Sequence, residues 1–98
     1  MEVLIDTAAS GDTTLLAGAA GFRYRVRQLF LVPALAVVVT FKSGSNKLTG
    51  SMSILTGSLV LDYSEEPWMT TNTGEALIIN LGAAVQVGGR LILDKVPA

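Results

Sequence analysis

Hydrophobic and polar positions alternate most regularly over Phe22-Arg23-Tyr24-Arg25-Val26-Arg27. A period of two sends successive side chains to opposite faces of a strand, so this stretch predicts one with Phe22, Tyr24 and Val26 inward and three arginines outward. Downstream, Ala34 to Phe41 is rich in β-branched valine and has no polar face, which predicts a strand covered on both sides. Pro33 cannot donate to a ladder and marks a corner, so the two segments are expected to be neighbouring strands joined at Val32-Pro33. The uncharged run from Leu29 to Phe41 is shorter than the roughly 20 residues of a membrane helix. It also contains Pro33 and the strand-favouring block Val37-Val38-Val39-Thr40, so no membrane span is expected.

The flanking segments extend the pattern. Glu2 to Asp6 reads as a first strand with Val3 and Ile5 on one side, and Ser10-Gly11-Asp12 as a turn into a second strand from Thr13 to Ala17. The glycines of Ala17 to Gly21 disfavour a helix, leaving a loop or a close-packed crossing. After the turn Ser43-Gly44-Ser45-Asn46, strands are expected over Lys47 to Ile54 and over Ser58 to Tyr63, the latter with Leu59, Leu61 and Tyr63 on one face. The tetrapeptide Leu-Thr-Gly-Ser occurs at Leu48 to Ser51 and again at Leu55 to Ser58, a recurrence too short to define a repeat. Pro67 closes the Ser58 strand and Trp68 to Asn72 is a short extended piece. Asn72-Thr73-Gly74 is a turn before a strand from Ala76 to Leu81. Ala83 to Val96 places Val85 and Val87 inward, and Gly88-Gly89 reads as a kink in one long strand that crosses between sheets rather than as a hairpin turn. About eight short strands with turn signals every ten residues or so predict an all-β sandwich or barrel, one domain spanning residues 1–98.

Composition adds an assembly argument. Half of the 98 residues are hydrophobic and only 15% are charged, against about 25% charged in typical soluble domains. A domain this small has too little interior for that much apolar surface, so further burial between subunits is expected. A net charge of -1 argues against general nucleic-acid binding. The N-terminal residues lack the basic segment and long apolar core of a signal peptide, so synthesis in a cytoplasm is expected.

Little in the sequence points to catalysis. Histidine and cysteine are absent, and the carboxylates are scattered, with only Glu65 and Glu66 adjacent. No enzyme activity, cofactor or metal site is expected. Asp12 and Asp62 supply oxygen ligands but no EF-hand spacing, and turn chemistry accounts for Asp12. The candidate contact residues are Arg23, Arg25, Arg27 and Trp68. The arginines form a row with roughly 7 Å between successive members. They serve either a solvated face paired with nearby acids or a contact row for an acidic partner or a neighbouring subunit. Trp68 is either a core plug or an exposed anchor at an interface or a sugar site.

The order of segments resembles a recurring type of small virion protein of tailed bacteriophages. The resemblance rests on Ser10-Gly11-Asp12-Thr13-Thr14, the arginine-bearing strand, Val38-Val39-Thr40-Phe41-Lys42-Ser43-Gly44 and Leu48-Thr49-Gly50. It continues with Asn72-Thr73-Gly74-Glu75-Ala76-Leu77 and Ala84-Val85-Gln86-Val87-Gly88-Gly89, so that it runs from about Ser10 to Val96. It implies a jelly-roll-like sandwich of about eight antiparallel strands that forms a homotrimer. Such a trimer sits on the capsid exterior as a decoration (cement) protein, with the major capsid protein as partner and assembly in the host cytoplasm. The matching motifs are strand and turn signatures, and no functional residue carries over. The N-terminal segment, about residues 1–9, is expected to reach a partner. The alternatives are a tail-fibre or tail-tip module that recognises a host-surface glycan or protein, and a small β-sandwich interaction domain outside viruses.

Overall fold

The structure is a computed structural model describing residues 1–55 and 57–98, and no helix occurs among them. The second Leu-Thr-Gly-Ser copy contains Thr56, which lies outside the described residues. Ten strands form: β1 (Glu2–Thr7), β2 (Gly11–Leu16), β3 (Phe22–Pro33), β4 (Val37–Ser43), β5 (Asn46–Lys47), β6 (Met52–Ile54), β7 (Leu59–Leu61), β8 (Met69–Thr70), β9 (Leu77–Leu81) and β10 (Val87–Pro97). They make two five-stranded antiparallel sheets packed face to face. Sheet A runs β1-β10-β3-β7, with β8 also on β3; sheet B runs β2-β9-β4-β5, with β6 also on β4.

The core lies between the sheets, where the inward positions meet. Ile5, Tyr24, Val26, Leu29, Leu31, Leu91 and Leu93 of sheet A face Val37, Val39, Phe41, Leu77, Ile79 and Leu81 of sheet B, all buried. Complete burial of each large aliphatic or aromatic side chain contributes about 1.5–3 kcal/mol, which makes this interlayer the main source of stability. Tyr24 keeps its hydroxyl satisfied by donating to the Ala17 carbonyl oxygen at 2.6 Å.

Several sequence expectations need correction. β3 and β4 are not neighbours in one sheet: Pro33 ends β3, and the chain crosses the core to β4, so the two lie in opposite sheets. The corner at Pro33 is real, and the Ala34 N–H is held there by the Gln86 carbonyl at 2.8 Å. β4 is covered fully on its inner face and only in part on its outer face, where Thr40 is buried but Val38 is 40% exposed. Phe22 lies at the rim of the sandwich instead of inside it, with Lys95 Nζ 4.7 Å from its ring centroid.

The expected Lys47 to Ile54 strand is split into β5 and β6. Between them Thr49 turns its side chain into the ladder, where its Oγ1 accepts from the Phe41 N–H at 3.2 Å in place of a backbone carbonyl. Gly88 and Gly89 lie inside one unbroken β10, as expected, but β10 stays in sheet A and does not cross. Gly89 is required by close approach: a Cβ there would strike the Phe30 carbonyl oxygen and sit 2.8 Å from the Leu31 Cα. Gly18 does the same against Gly74, which makes the Ala17 to Gly21 loop a tight crossing as well.

One irregularity in β3 sets the outer surface. The β3–β10 register shifts between Ile92 and Leu93, so that Val26 pairs with Leu93 and Gln28 with Ile92, leaving Arg27 as an extra residue. A bulge of this kind reverses the parity of the residues beyond it. Before it the even-numbered positions Tyr24 and Val26 point inward; after it the odd-numbered positions Leu29 and Leu31 do.

Candidate interaction surfaces

The parity switch places Phe30 and Val32 on the outer face of sheet A, in the positions that Arg23 and Arg25 occupy before the bulge. Cross-strand pairing then builds a row across four strands, Leu4 opposite Arg90, Arg90 opposite Phe30 and Phe30 opposite Val60. Leu4 is 70% exposed, Phe30 44%, Val32 52% and Val60 60%. Val32 is paired with Gly88, which has no side chain to cover it. Arg90 and Glu2 stand 3.7 Å apart within this patch, both exposed. Residues 2–7, expected to reach a partner, are paired along their whole length with β10. They hold Ile5 in the core and leave Leu4 and the free edge of β1 to the outside.

The arginine row occupies the other half of the same face, and its three members differ. Arg27, at the bulge, donates through Nε to Asp94 Oδ2 at 2.9 Å, which fits the reading of arginines paired with nearby acids. Arg23 and Arg25 have no ion pair within 4 Å among the described residues, and the Nε of Arg23 is buried without a hydrogen-bond partner. They form one side of an open groove of about 640 Å³ whose lining is completed by Glu65, Glu66, Pro67 and Thr70. The loop carrying the two glutamates is tied to β3 at both ends. The Ser64 N–H donates to the Arg27 carbonyl at 3.1 Å and the Trp68 N–H to the Val26 carbonyl at 2.9 Å.

Trp68 combines features of both readings made for it. Its indole N–H donates to the Asp62 carbonyl at 2.8 Å, and the residue is 49% exposed. With Leu29, Phe41, Met52, Leu59 and Leu61 it lines an apolar cavity of about 140 Å³ between the sheets.

Sheet B has a different outer face. Asp12, Asn80 and Thr40 line up across β2, β9 and β4, and the Asp12 carboxylate accepts from Asn80 Nδ2 at 2.7 Å and from Lys42 Nζ at 3.0 Å. Those bonds, first Asn80 and then Lys42, hold the Asp12 carboxyl below its ordinary range. At the end of β4, the buried Ser43 donates to Glu75 Oε1 at 2.7 Å and accepts from the Asn72 N–H at 2.9 Å. Asn72 Nδ2 donates to the same Glu75 oxygen at 2.8 Å, and Ser43 and Asn72 together lower the Glu75 pKa. This cluster pins the 71–75 turn to β4 and is structural.

Asp12 and Asp62, the candidate calcium ligands, do not share a site: Asp12 is on sheet B and engaged by Lys42, while Asp62 follows β7 of sheet A. Among the described residues, no three His, Cys, Asp or Glu come together in a way that could hold a metal ion. No helix among them is long and apolar enough to cross a membrane.

Sequence reasoning missed the apolar half of sheet A. The signal was present at Leu4, because placing Val3 and Ile5 inward leaves Leu4 outward. Phe30 and Val32 gave no such signal, because the bulge that turns them outward is not written in the local pattern. No protein-family model, curated protein or solved structure matches the chain.

Proposed function

We propose that the chain is a structural virion protein of a tailed bacteriophage, a homotrimeric jelly roll that binds the outside of the head as a decoration or cement protein. The observation that carries this reading is the outer face of sheet A, where Leu4, Phe30, Val32 and Val60 are exposed around Arg90 on a small chain that already has its own buried core. Such a patch is stable in water when a second copy covers it.

The strand wrapping supports the jelly-roll part. Counting β5 with β6 and β7 with β8 as single strands leaves eight, and these pair first with eighth, second with seventh, third with sixth and fourth with fifth. That is the arrangement of one antiparallel ribbon rolled around a core. The virion assignment draws on the resemblance of the strand and turn segments from Ser10 to Val96. In this reading the trimer spans junctions between coat subunits, and three modest contacts on one rigid body act together through effective concentration. No catalytic step, cofactor, nucleic acid or membrane takes part. The tail-module alternative rests on Trp68 as a sugar platform, and the engagement of its indole N–H by the Asp62 carbonyl and its partly packed ring weaken it.

The deciding measurement is the number of copies per purified particle, from gel densitometry against the major coat protein, with sedimentation equilibrium of the free protein. Hundreds of copies in simple ratio to coat, and a trimeric mass, are expected. A few to a few dozen copies would move the chain to the tail, and none would remove it from the virion.

A further inference from the structure

The groove between Arg23 and Arg25 on one side and Glu65 and Glu66 on the other holds the only two sheet-A arginines left without an ion pair among the described residues. Their obvious partner is taken. Asp94 lies directly opposite Arg25 in the β3–β10 register, yet its carboxylate is engaged by Arg27 at 2.9 Å. Glu65 and Glu66 share the groove, but neither comes within 4 Å of an arginine nitrogen, so the two walls stand apart with opposite charges. The Arg23 Nε is buried and has no hydrogen-bond partner among the described residues.

The walls are also held in place. Both arginines are on the long central strand of sheet A, and the glutamate loop is tied to that same strand through Ser64 and Trp68, with Pro67 fixing its backbone between them. A prepositioned groove loses less freedom on binding than one that must form around its ligand. Its volume of about 640 Å³ falls within the range of sites that take short peptide segments or small molecules.

The charge pattern selects the ligand. Two arginines and two glutamates make the lining neutral overall, so a purely acidic segment would gain at one wall and be repelled at the other, and a purely basic one the reverse. We infer that the groove docks an extended peptide segment of a partner in which an acidic side chain lies close to a basic one. The acid takes the guanidinium forks of Arg23 and Arg25, and the base faces Glu65 and Glu66. Thr70 of β8, paired with Arg25 of β3, also lines the groove. Naming the coat protein as the source of that segment rests on the function proposed above; the groove chemistry does not.

The test is an NMR titration of the isotopically labelled full chain with the blocked tripeptide acetyl-Glu-Gly-Lys-amide. Controls are acetyl-Gln-Gly-Lys-amide, acetyl-Glu-Gly-Gln-amide and free glycine. The mixed-charge peptide is expected to shift the amides of Arg23, Arg25 and residues 65–70, weakening as salt rises, and each single-charge control to bind about tenfold more weakly. Arg25→Gln is expected to abolish the shifts with the fold retained, and E65Q combined with E66Q to make acetyl-Glu-Gly-Gln-amide the better ligand. Equal shifts with the controls, equal binding of glycine, or no shift at millimolar peptide overturns the proposal. Retention on particles separates the groove chemistry from the virion reading. If Arg25→Gln loses the peptide but stays on particles like the wild type, the coat is not the source of the segment. If the wild-type chain is absent from particles, the virion reading fails while the titration result stands.

Discussion

The outer face of sheet B closes its polar groups upon one another, whereas the outer face of sheet A leaves apolar side chains exposed and two arginines without an ion pair among the described residues. On sheet B, Asp12 gathers Asn80 and Lys42, and Thr40 donates to Ser51 at 3.4 Å, so the central polar groups of that face are paired within the subunit. On sheet A the cross-strand row Leu4, Arg90, Phe30 and Val60 offers mostly hydrocarbon, and the arginine groove beside it is open. Exposed ion pairs such as Lys42–Asp12 contribute little to stability, because water and salt screen them. Their significance here is that they leave a partner little to bind. The same strand alternation therefore builds one face whose polar groups are largely paired and one that exposes apolar side chains.

Four experiments sharpen or break that contrast. The largest effect is expected from Gly89→Val, whose side chain would drive into the β3 backbone at Phe30 and Leu31. A loss of about 3 kcal/mol or more, read as a collapse of the thermal midpoint, is expected. A midpoint within a few degrees of the wild type would mean that β10 and β3 are not packed this closely.

Next comes assembly. If the proposed oligomer forms through this face, Leu4→Asp with Phe30→Asp is expected to give a monomer in sedimentation equilibrium with little change in far-UV circular dichroism, because both side chains are exposed in the single subunit. Val38→Asp, on the outer face of sheet B, should leave the mass unchanged. The reverse pattern would exchange the roles of the two faces.

A smaller change is expected from Gly82→Ala. Its new methyl would meet the Val38 side chain at 3.3 Å instead of backbone, so a cost of about 1 kcal/mol is expected. A cost as large as that of Gly89→Val would show that both sheets are equally constrained at their glycines.

The smallest effect concerns pH. Asp12 and Glu75 have carboxyls held below their ordinary values of 3.8 and 4.5 by hydrogen bonds made in the fold. The unfolded chain therefore takes up protons first, and the stabilisation is present above those ordinary values and lost as the pH falls through and below them. Urea midpoints that decline from about pH 4.5 downward, with a smaller decline in Glu75→Gln, are expected. An unchanged slope in the variant would remove Glu75 from that account.

Much of this architecture is legible along the chain. Val3 and Ile5, Tyr24 and Val26, Leu77 to Leu81, and Val87 announce their strands and inward faces through period-two spacing and β-branched content. Val85 is buried as expected but precedes β10, which starts at Val87 and not at Ala83. Arg23, Arg25 and Arg27 announce an outward row in the same way. What separates Arg27 from the other two is not legible, because it depends on Asp94, 67 residues away.

The sequence by itself determined the all-β class, the positions of most strands and the side each presents to the core, since these depend on neighbours one or two residues apart. Only the tertiary structure decided that β3 and β4 belong to opposite sheets, because strand pairing is chosen by contacts distant in sequence. It also placed an extra residue at Arg27, a local shift in the β3–β10 ladder that reverses every side chain beyond it. That single reversal turns Phe30 and Val32 outward and gives the outer face of sheet A its exposed apolar side chains.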